Sequence, residues 1–345
     1  KMKPIITFNA GSSSLKFAVF DGGLAPLLAG QVAGYGPDAL QAALAEIEGK
    51  GVVLQNCAGV GHRIVHGGTR YTAPVRVDQK IQDDLEALRR LAPLHLPYGL
   101  GAMAALRKLA PAVPHVACFD TAFHSGRDDL HTRLPLPRAY HERGYRRYGF
   151  HGLNYEHVVR ELPLQTGKPL PQRLLVAHLG NGSSMCAILD GRSVETTMGF
   201  STADGLLMGT RTGAIDPGVL IALMRDEGLE AEGLEDLLYR RSGLLGISGL
   251  SSDMRELLAS PAVEATEAVN AYCYQAARYA GSLAVSIGGL DAIVFTGGIG
   301  ENAEPVREKI LAQLSFLGLS VKDLHVVKAN EELTIARHVS ALLGQ

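Results

Sequence analysis

Four polar residues of this sequence stand where the surrounding pattern would not place them. Arg63 and Arg211 each lie in a glycine-flanked string, Asp120 ends an apolar run, and His151 separates an aromatic residue from a glycine. Singly, each is explained more simply by a structural ion pair or a core histidine. Together, two arginines, a carboxylate and a histidine form the set that phosphoryl transfer requires.

Three turns rich in small residues could hold a nucleotide: Asn9–Lys16, His178–Ser184 and Gly297–Asn302. In the first, backbone N–H groups, three serines and a lysine could surround phosphate oxygens. The third is not G-x-G-x-x-G, and the sequence has no P-loop motif. Each turn alone is better explained as a plain turn, whereas the three together favour a nucleotide cleft.

Two of these turns belong to hairpins that look alike. Ile5–Phe8 and Leu15–Phe20 predict the strands of the first, and Leu174–Leu179 and Met185–Leu189 those of the second. Asp-Gly turns follow both. A constant offset of 169 gives five identities in twelve positions. This similarity indicates either a duplicated domain or a chance likeness between small-residue hairpins.

The remaining periodicity predicts alternating strands and helices, and therefore an α/β fold in two halves with a cleft between them. The predicted strands are His115–Phe119 and Ala292–Thr296. The predicted helices are Asp78–Leu91, Tyr98–Leu109, one opened by Asp216-Pro217, Gly233–Arg240, one from Ser260-Pro261 to Gly288, Glu304–Phe316, and Glu331–Leu343 with Asn330 as its cap.

Composition excludes several classes of protein. The chain has 345 residues, 46% of them apolar and 20% charged, with a net charge of −2. A chain of this composition can bury a large core, which excludes a mainly disordered protein. With so small a net charge it has no basic field that would attract nucleic acid or an anionic membrane. No apolar run reaches a membrane span, and the start of the chain resembles no signal peptide. Four dispersed cysteines argue against zinc and disulfides, and predict a cytoplasmic protein.

The sequence resembles the acetate kinases, the acetate/propionate branch of the actin-like sugar kinase superfamily. The resemblance covers nearly the whole chain. The matching strings are Asn9–Lys16, Gly61–Gly68, Leu91–His95 with Pro97, Phe119–His124, Arg147–Gly152, His178–Ser184, Met198–Phe200, Gly205–Arg211, Ile215–Pro217, Ser242–Gly249, Ser251–Asp253 with Arg255, Gly297–Asn302 and Asn330–Leu333.

This resemblance implies an α/β fold of two actin-like (ribonuclease H-like) domains from a duplicated βββαβαβα core, with an interdomain ATP cleft. Residues 1–149 with 332–345 would form one domain, and 150–331 the nucleotide-binding one. The implied reaction is direct, reversible transfer of a phosphoryl group from ATP to acetate, giving ADP and acetyl phosphate. The resemblance also implies a homodimer. It implies a reaction that depends on Mg²⁺, for which Mn²⁺ could substitute.

The resemblance also implies roles for individual residues. The catalytic ones are Arg63, Asp120, His151 and Arg211. Arg63 would also bind the substrate carboxylate, while Val65, Leu94 and Phe150 would hold its methyl group. Asn9 and Glu331 would be linked to the metal. The expected ATP-binding residues are Ser12, Ser14, Lys16, His178, Asn181, Gly182, Asp253, Arg255, Gly297, Ile299 and Asn302.

The sequence departs from the family pattern at three positions and in one segment. Leu96 replaces a usual Asn, Thr202 the proline of the methyl pocket, and Ala214 a usual Asp; the segment between Asp21 and Gly61 is short. Three alternatives therefore stay open. They are a propionate kinase, a kinase that phosphorylates a hydroxyl group, and an actin-like ATP switch without a small-molecule acceptor.

Overall fold

The computed structural model describes residues 3–344 and divides the chain into two compact units. The first unit combines the residues up to Ser125 with Phe150–His157 and the residues from Asn330 onward; the second comprises Gly126–Gly149 and Val158–Ala329. The expected domains are 1–149 with 332–345 and 150–331. In the structure, residues 126–149 belong instead to the second unit and residues 150–157 to the first. The expected domain boundaries stay a prediction.

The sheet of the first unit has the order β3-β2-β1-β4-β6-β5. β1, β4 and β6 are parallel neighbours, while β2, β3 and β5 run antiparallel to the strands they pair with. The strands are β1 (Ile5–Ala10), β2 (Ser14–Phe20), β3 (Pro26–Ala33), β4 (Gly59–Ile64), β5 (Val75–Arg76) and β6 (His115–Phe119).

The sheet of the second unit repeats this topology. Its strands are β7 (Arg173–His178), β8 (Ser184–Leu189), β9 (Arg192–Thr196), β10 (Ala292–Thr296) and β11 (Leu324–Val326), in the order β11-β10-β7-β8-β9. Again an antiparallel meander of three strands is joined to two parallel ones. The shared order supports the duplicated core.

The two hairpin turns nevertheless differ in length. The innermost pair is Ala10 with Leu15 in the first hairpin, and His178 with Ser184 in the second. Four residues therefore lie between the two residues of the innermost pair in the first hairpin, and five in the second. The gap-free offset of 169 is wrong at the turn itself.

Helices cover the faces of both sheets. They are α1 (Pro37–Gly49), α2 (Gln79–Glu86), α3 (Leu96–Leu109), α4 (Asp129–Thr132), α5 (Arg138–Glu142), α6 (Gly152–Thr166), α7 (Pro217–Asp226), α8 (Ala231–Arg240), α9 (Gly243–Ser248), α10 (Met254–Ala259), α11 (Val263–Ser286), α12 (Gly297–Asn302), α13 (Glu304–Gln313) and α14 (Glu331–Leu343).

α14 lies unusually close to β4. A Cβ atom at Gly61 would lie 2.3 Å from Cγ2 of Ile335, and one at Gly59 would lie 2.9 Å from Cγ1 of Val339. Only glycine leaves room for this approach. The core on this face joins α14 to the sheet, and α1 and α3 cover the opposite face.

Several predicted elements are confirmed. β6 and β10 have the predicted bounds, and α14 has them too. Asn330 caps α14 because its side chain accepts a hydrogen bond from Leu333 N at 3.0 Å. Asp216 likewise caps α7.

Two predicted elements differ from the structure. Gly297–Asn302 forms the short helix α12 and not a turn. The long helix α11 begins at Val263, not at Ser260-Pro261, because Ser260 Oγ accepts from Ala262 N and keeps that segment in a turn. Sequence analysis also missed the edge strand β3, whose exposure alternates around a proline and a glycine.

Within residues 3–344, no helix is long and apolar enough to cross a membrane. All four cysteines are buried and unbridged.

Candidate active site

The carboxyl ends of three parallel strands bring polar side chains together in the first unit. Asn9 is near the end of β1, Arg63 near the end of β4, and Asp120 directly follows β6. These strands are adjacent in the sheet, with Arg63 paired to Cys118 in the β4–β6 ladder. The carboxyl edge of parallel strands is where ligand sites form in α/β proteins.

Arg63 is the centre of this cluster. Its Nε lies 3.1 and 3.0 Å from the two Asp120 carboxylate oxygens, and its Nη2 lies 2.5 Å from Oδ2. Its Nη1 donates to Asn9 Oδ1 at 3.2 Å. The guanidinium plane is therefore fixed on two sides.

The first turn of α14 adds two carboxylates. Asn9 Nδ2 donates to Glu331 Oε2 at 2.9 Å and to Glu332 Oε1 at 3.3 Å. Glu331 Oε2 is also 3.9 Å from Arg63 Nε. Sequence analysis missed Glu332, although two adjacent glutamates at a predicted helix start were the available signal.

Burial and charge act in opposite directions here. Burial raises the pKa of Asp120 to about 6, against the lowering effect of Arg63. Burial disfavours the charge of Arg63, but Asp120 and Glu331 outweigh it and raise the pKa of Arg63 above its usual value. Both groups are therefore charged at pH 7.

The segment around His151 passes directly beside Asp120. Gly152 N donates to the Asp120 carbonyl at 2.9 Å, and a Cβ at Gly152 would lie 2.3 Å from that oxygen. His151 itself has φ 56°, in the left-handed region that non-glycine residues rarely adopt. His124 Nε2 bonds to the Phe150 carbonyl at 2.8 Å, which fixes the residue before it. Strained backbone conformations of this kind concentrate at functional sites, where they hold a side chain in a required position. The conformation of His151 is therefore consistent with its predicted catalytic role.

The expected methyl-binding residues differ in burial. Val65 and Phe150 are buried, and the Phe150 ring lies 5.6 Å from that of His66. Leu94 is half-buried just before α3, and Leu96 is fully buried as the first residue of that helix. The pocket itself stays a prediction.

The expected phosphate-binding hairpin is open to solvent. Ser12 and Lys16 are exposed, and Ser14 is half-buried. Lys16 pairs with Asn9 across β1 and β2, so the two side chains lie on one face of the sheet. The lysine is thus on the same side as the Arg63 cluster.

In the second unit, β7 and β10 bring two of the glycine-rich segments together. His178 pairs with Thr296 at the ends of these strands. Leu179 O then accepts from Ile299 N at 2.8 Å and from Gly300 N at 3.0 Å. Gly297 has φ 78°, and a Cβ there would lie 2.7 Å from Leu179 O. The expected adenosine and phosphate segments are therefore in contact.

Asn181 lies against the strings that carry Arg211 and Asp253. Gly209 N donates to Asn181 O at 3.1 Å, and a Cβ at Gly209 would lie 3.3 Å from Ser252 O. Gly182 O lies 3.3 Å from the position of a Cβ at Gly180, so this turn is tight. Sequence analysis did not identify Gly209 as a packing position.

Arg211 is held by its own loop. Its Nη1 donates to Thr202 O at 3.0 Å and lies 3.8 Å from Met208 Sδ. Met208 N in turn donates to Arg211 O at 3.2 Å. These contacts orient the Arg211 side chain.

Asp253 and Arg255 are engaged mainly with each other. Asp253 caps α10, and its Oδ2 lies 2.7 Å from Arg255 Nη2, whose side chain is 88% exposed. Asn302 Nδ2 donates to Gly298 O at 2.9 Å, within α12. The contact of Asp253, Arg255 and Asn302 with adenosine stays a prediction.

The described residues hold no group of three or more His, Cys, Asp or Glu side chains arranged to bind a metal ion. The oxygens of Asn9, Asp120 and Glu331 are hard donors, and Mg²⁺ commonly keeps several waters and takes few protein ligands. The donor set thus fits a Mg²⁺ held largely by water and phosphate oxygens.

Comparisons with known proteins agree on one family. The model of the Acetokinase family matches residues 31–342. An acetate kinase of Rhodopseudomonas palustris is 42% identical over 369 aligned residues, covering 98% of this chain and 92% of the relative.

Solved structures give the same result. The acetate kinase of Porphyromonas gingivalis has a TM-score of 0.88 at 32% identity and covers 99% of this chain and 100% of its own. A propionate kinase of Francisella tularensis has a TM-score of 0.88 at 31% identity, covering 98% and 99%. The two-domain actin-like α/β fold predicted from the sequence agrees with these neighbours.

Proposed function

Because the chain belongs to the Acetokinase family, we propose that it catalyses the reversible, ATP-dependent phosphorylation of acetate to acetyl phosphate by direct in-line transfer. The family is one of phosphotransferases that act on a carboxyl group. Curated acetate kinases at about 40% identity over nearly the whole chain support this assignment.

The reaction requires fixed positive charge, and it does not require a general base. A carboxylate is already ionised at pH 7, so no proton has to be removed from the nucleophile. The obstacle is that two anions must meet while charge spreads over the phosphoryl oxygens. Fixed cationic groups lower this barrier most effectively.

Arg63 has the geometry to bind the carboxylate of the acceptor. Its guanidinium can bind a carboxylate through two parallel N–H bonds, which Lys cannot do. The contacts to Asp120 and Asn9 fix its plane before substrate arrives. In this mechanism Arg211 and His151 bind the transferring phosphoryl oxygens.

Asn9, Glu331 and, through water, Asp120 are the residues that would hold Mg²⁺; Mn²⁺ would suit the same oxygens. When bound, the ion neutralises charge on the nucleotide phosphates. Asn9 positions Glu331 through the 2.9 Å hydrogen bond described above.

The nucleotide is assigned to two sets of residues. Ser12, Ser14, Lys16, His178, Asn181 and Gly182 would contact its phosphates. Asp253, Arg255, Gly297, Ile299 and Asn302 would surround adenosine. The contact of Leu179 with α12 supports placing the last set beside the phosphate turn.

The observation that carries this proposal is the bonding of Arg63 to Asp120 and Asn9 at the carboxyl ends of three adjacent strands. The test is an assay with ATP, Mg²⁺ and acetate in which hydroxylamine traps the acyl phosphate. Hydroxamate should form in step with ADP. ATP hydrolysis without hydroxamate would reject the acyl-phosphate product, and a kinetically competent phosphoenzyme would reject direct transfer.

A second candidate acceptor is propionate, because a propionate kinase is as similar in structure as the acetate kinase. One methylene changes discrimination by only about 1–3 kcal/mol. Comparing kcat/KM for acetate, propionate and butyrate decides between the two.

We further propose a cytoplasmic homodimer. α7 has no buried residue, and it exposes Val219, Ile221 and Met224 at 43%, 62% and 51%. A second copy of the chain would cover these apolar side chains. Light scattering of the purified protein measures its mass directly.

A further inference from the structure

A buried tyrosine on the long helix α11 bonds to the turn that follows β7. Tyr272 is only 2% exposed, and Ser183 in the turn is fully buried. The hydroxyl oxygen of Tyr272 lies 2.9 Å from Ser183 Oγ. The two residues are 89 positions apart in the chain, so this bond joins the helix to a distant turn within the second unit.

Ser183 is also the residue that closes this turn on itself. Its Oγ donates to Gly180 O at 2.9 Å and accepts from Gly180 N at 3.2 Å. A serine hydroxyl has one proton to donate and can accept two bonds. Because that proton is used on Gly180 O, Tyr272 is the donor in the remaining bond.

The Tyr272 hydroxyl keeps the proton that this bond requires. Burial raises the pKa of Tyr272 above its usual value, against the lowering effect of the bond to Ser183. The hydroxyl is therefore neutral over the whole physiological pH range. With it in place, every donor and acceptor position of the serine hydroxyl is filled.

The turn fixed in this way presents backbone N–H groups. Asn181 is exposed and Gly182 is half-buried, and neither donates its N–H to another part of residues 3–344. Gly209 N donates to Asn181 O at 3.1 Å, so the turn is held at Asn181 by one loop and at Ser183 by α11. Successive backbone N–H groups of this kind form a concavity that binds anions.

We propose that Tyr272 is a positioning residue for the nucleotide, which acts through Ser183 to hold the N–H groups of Asn181 and Gly182 in the orientation that binds the ATP phosphates. This inference rests on the proposed function, which assigns Asn181 and Gly182 to those phosphates. Donors that are already ordered bind an anion more tightly, because less conformational freedom is lost on binding.

The test compares the unmodified protein with single variants at three positions. Tyr272→Phe keeps the aromatic ring and removes only the hydrogen-bond donor, while Ser183→Ala removes its acceptor. Tyr274→Phe is the matched control, because it removes the hydroxyl of a tyrosine on the same helix that is 58% exposed. Calorimetry with Mg²⁺ gives Kd for ATP, the hydroxamate and ADP assays give kcat and both KM values, and melting temperatures report folding.

We expect Tyr272→Phe and Ser183→Ala each to raise Kd and KM for ATP by at least about threefold, because each removes one buried hydrogen bond of the turn. KM for acetate should stay within about twofold of that of the unmodified protein in both variants, and Tyr274→Phe should change none of these constants. Because Tyr272 acts through Ser183, the double variant should bind ATP no more than about twofold more weakly than Ser183→Ala alone.

An unchanged affinity for ATP in folded Tyr272→Phe overturns the inference, even if the melting temperature falls, because the bond is then structural only. If Tyr272→Phe does not fold, an unchanged affinity in Ser183→Ala overturns it in the same way. In both cases acetate turnover by the unmodified protein still supports the proposed function. Formation of neither hydroxamate nor ADP by the unmodified protein overturns the proposed function and this inference with it.

Discussion

Arg63 and Asp120 form a buried ion pair in which Nη2 of the arginine lies 2.5 Å from Oδ2 of the carboxylate. The side chain of Asp120 is 1% exposed, and that of Arg63 is 19% exposed. Breaking such a pair leaves an uncompensated buried charge, which is strongly unfavourable. The pair therefore fixes the guanidinium while part of it stays accessible to an anionic ligand.

The first prediction concerns the two arginines. Arg63→Ala and Arg211→Ala should each lower kcat by about 10²- to 10³-fold, because each removes a fixed positive charge from the transition state. Binding of ATP, measured by calorimetry, should change little. The matched control is Arg255→Ala, which removes an exposed arginine from the expected adenosine side and should affect KM for ATP more than kcat. Turnover near normal in either arginine variant would remove that residue from the mechanism.

A second prediction concerns the metal. Glu331→Gln should raise the Mg²⁺ concentration needed for half-maximal activity by at least about tenfold, because it removes a charged oxygen donor. Glu332→Gln is the matched control, since this neighbour also bonds to Asn9 Nδ2, at the longer distance of 3.3 Å. Activity is measured across a Mg²⁺ titration after treatment with chelator. Equal shifts in the two variants would contradict the assignment of Glu331.

The placement of Asp120 could be predicted from local sequence. An apolar run that ends in a carboxylate puts that group at the carboxyl edge of a buried strand, and β6 has the predicted bounds. The start of α14 could be predicted equally well, because an Asn followed by two glutamates is a strong helix-start signal. Both features depend only on residues close together in sequence.

The helical form of Gly297–Asn302 could not be predicted in that way. Glycines disfavour a helix, and the segment forms one because Ile299 N and Gly300 N bond to Leu179 O, directly after the distant strand β7. Gly297 N also donates to Glu301 Oε1 at 3.0 Å. The approach of α14 to Gly61 is likewise set by packing between residues far apart in sequence.

A third prediction tests that close approach. Gly61→Ala should lower the free energy of unfolding by about 1–3 kcal/mol, because the new Cβ would overlap Ile335 Cγ2 at 2.3 Å. Displacing α14 also moves Glu331, so the Mg²⁺ requirement should rise. Chemical denaturation and the Mg²⁺ titration measure the two effects.

The control for this substitution is Gly101→Ala. Gly101 lies in α3, and a Cβ there would meet no atom within 4 Å. This change should stabilise the protein by up to about 1 kcal/mol through helix propensity. If Gly61→Ala behaved in the same way, the packing of α14 against β4 would be looser than described.

The last prediction concerns two buried histidines that bond to each other. His62 Nε2 lies 2.9 Å from His115 Nδ1, and one of these nitrogens must keep its lone pair for the bond to form. Burial lowers the pKa of His115 to about 4, and it lowers that of His62 well below its usual value. Both are therefore neutral in the folded protein at pH 7.

The sign of the pH dependence follows from these shifts. Below pH 6.5 these two histidines take up protons in the unfolded chain but not in the folded protein. Their contribution to the free energy of unfolding is therefore fully present above pH 6.5 and is lost as the pH falls toward 4. Each histidine contributes up to about 1.4 kcal/mol per pH unit in this range. The double variant His62→Leu with His115→Leu should therefore show a shallower loss of unfolding free energy between pH 6.5 and 5. The unfolding free energy of the double variant at pH 8 measures the effect of the two substitutions on packing alone. If its unfolding free energy fell with pH as steeply as that of the unmodified protein, these histidines would not control acid stability.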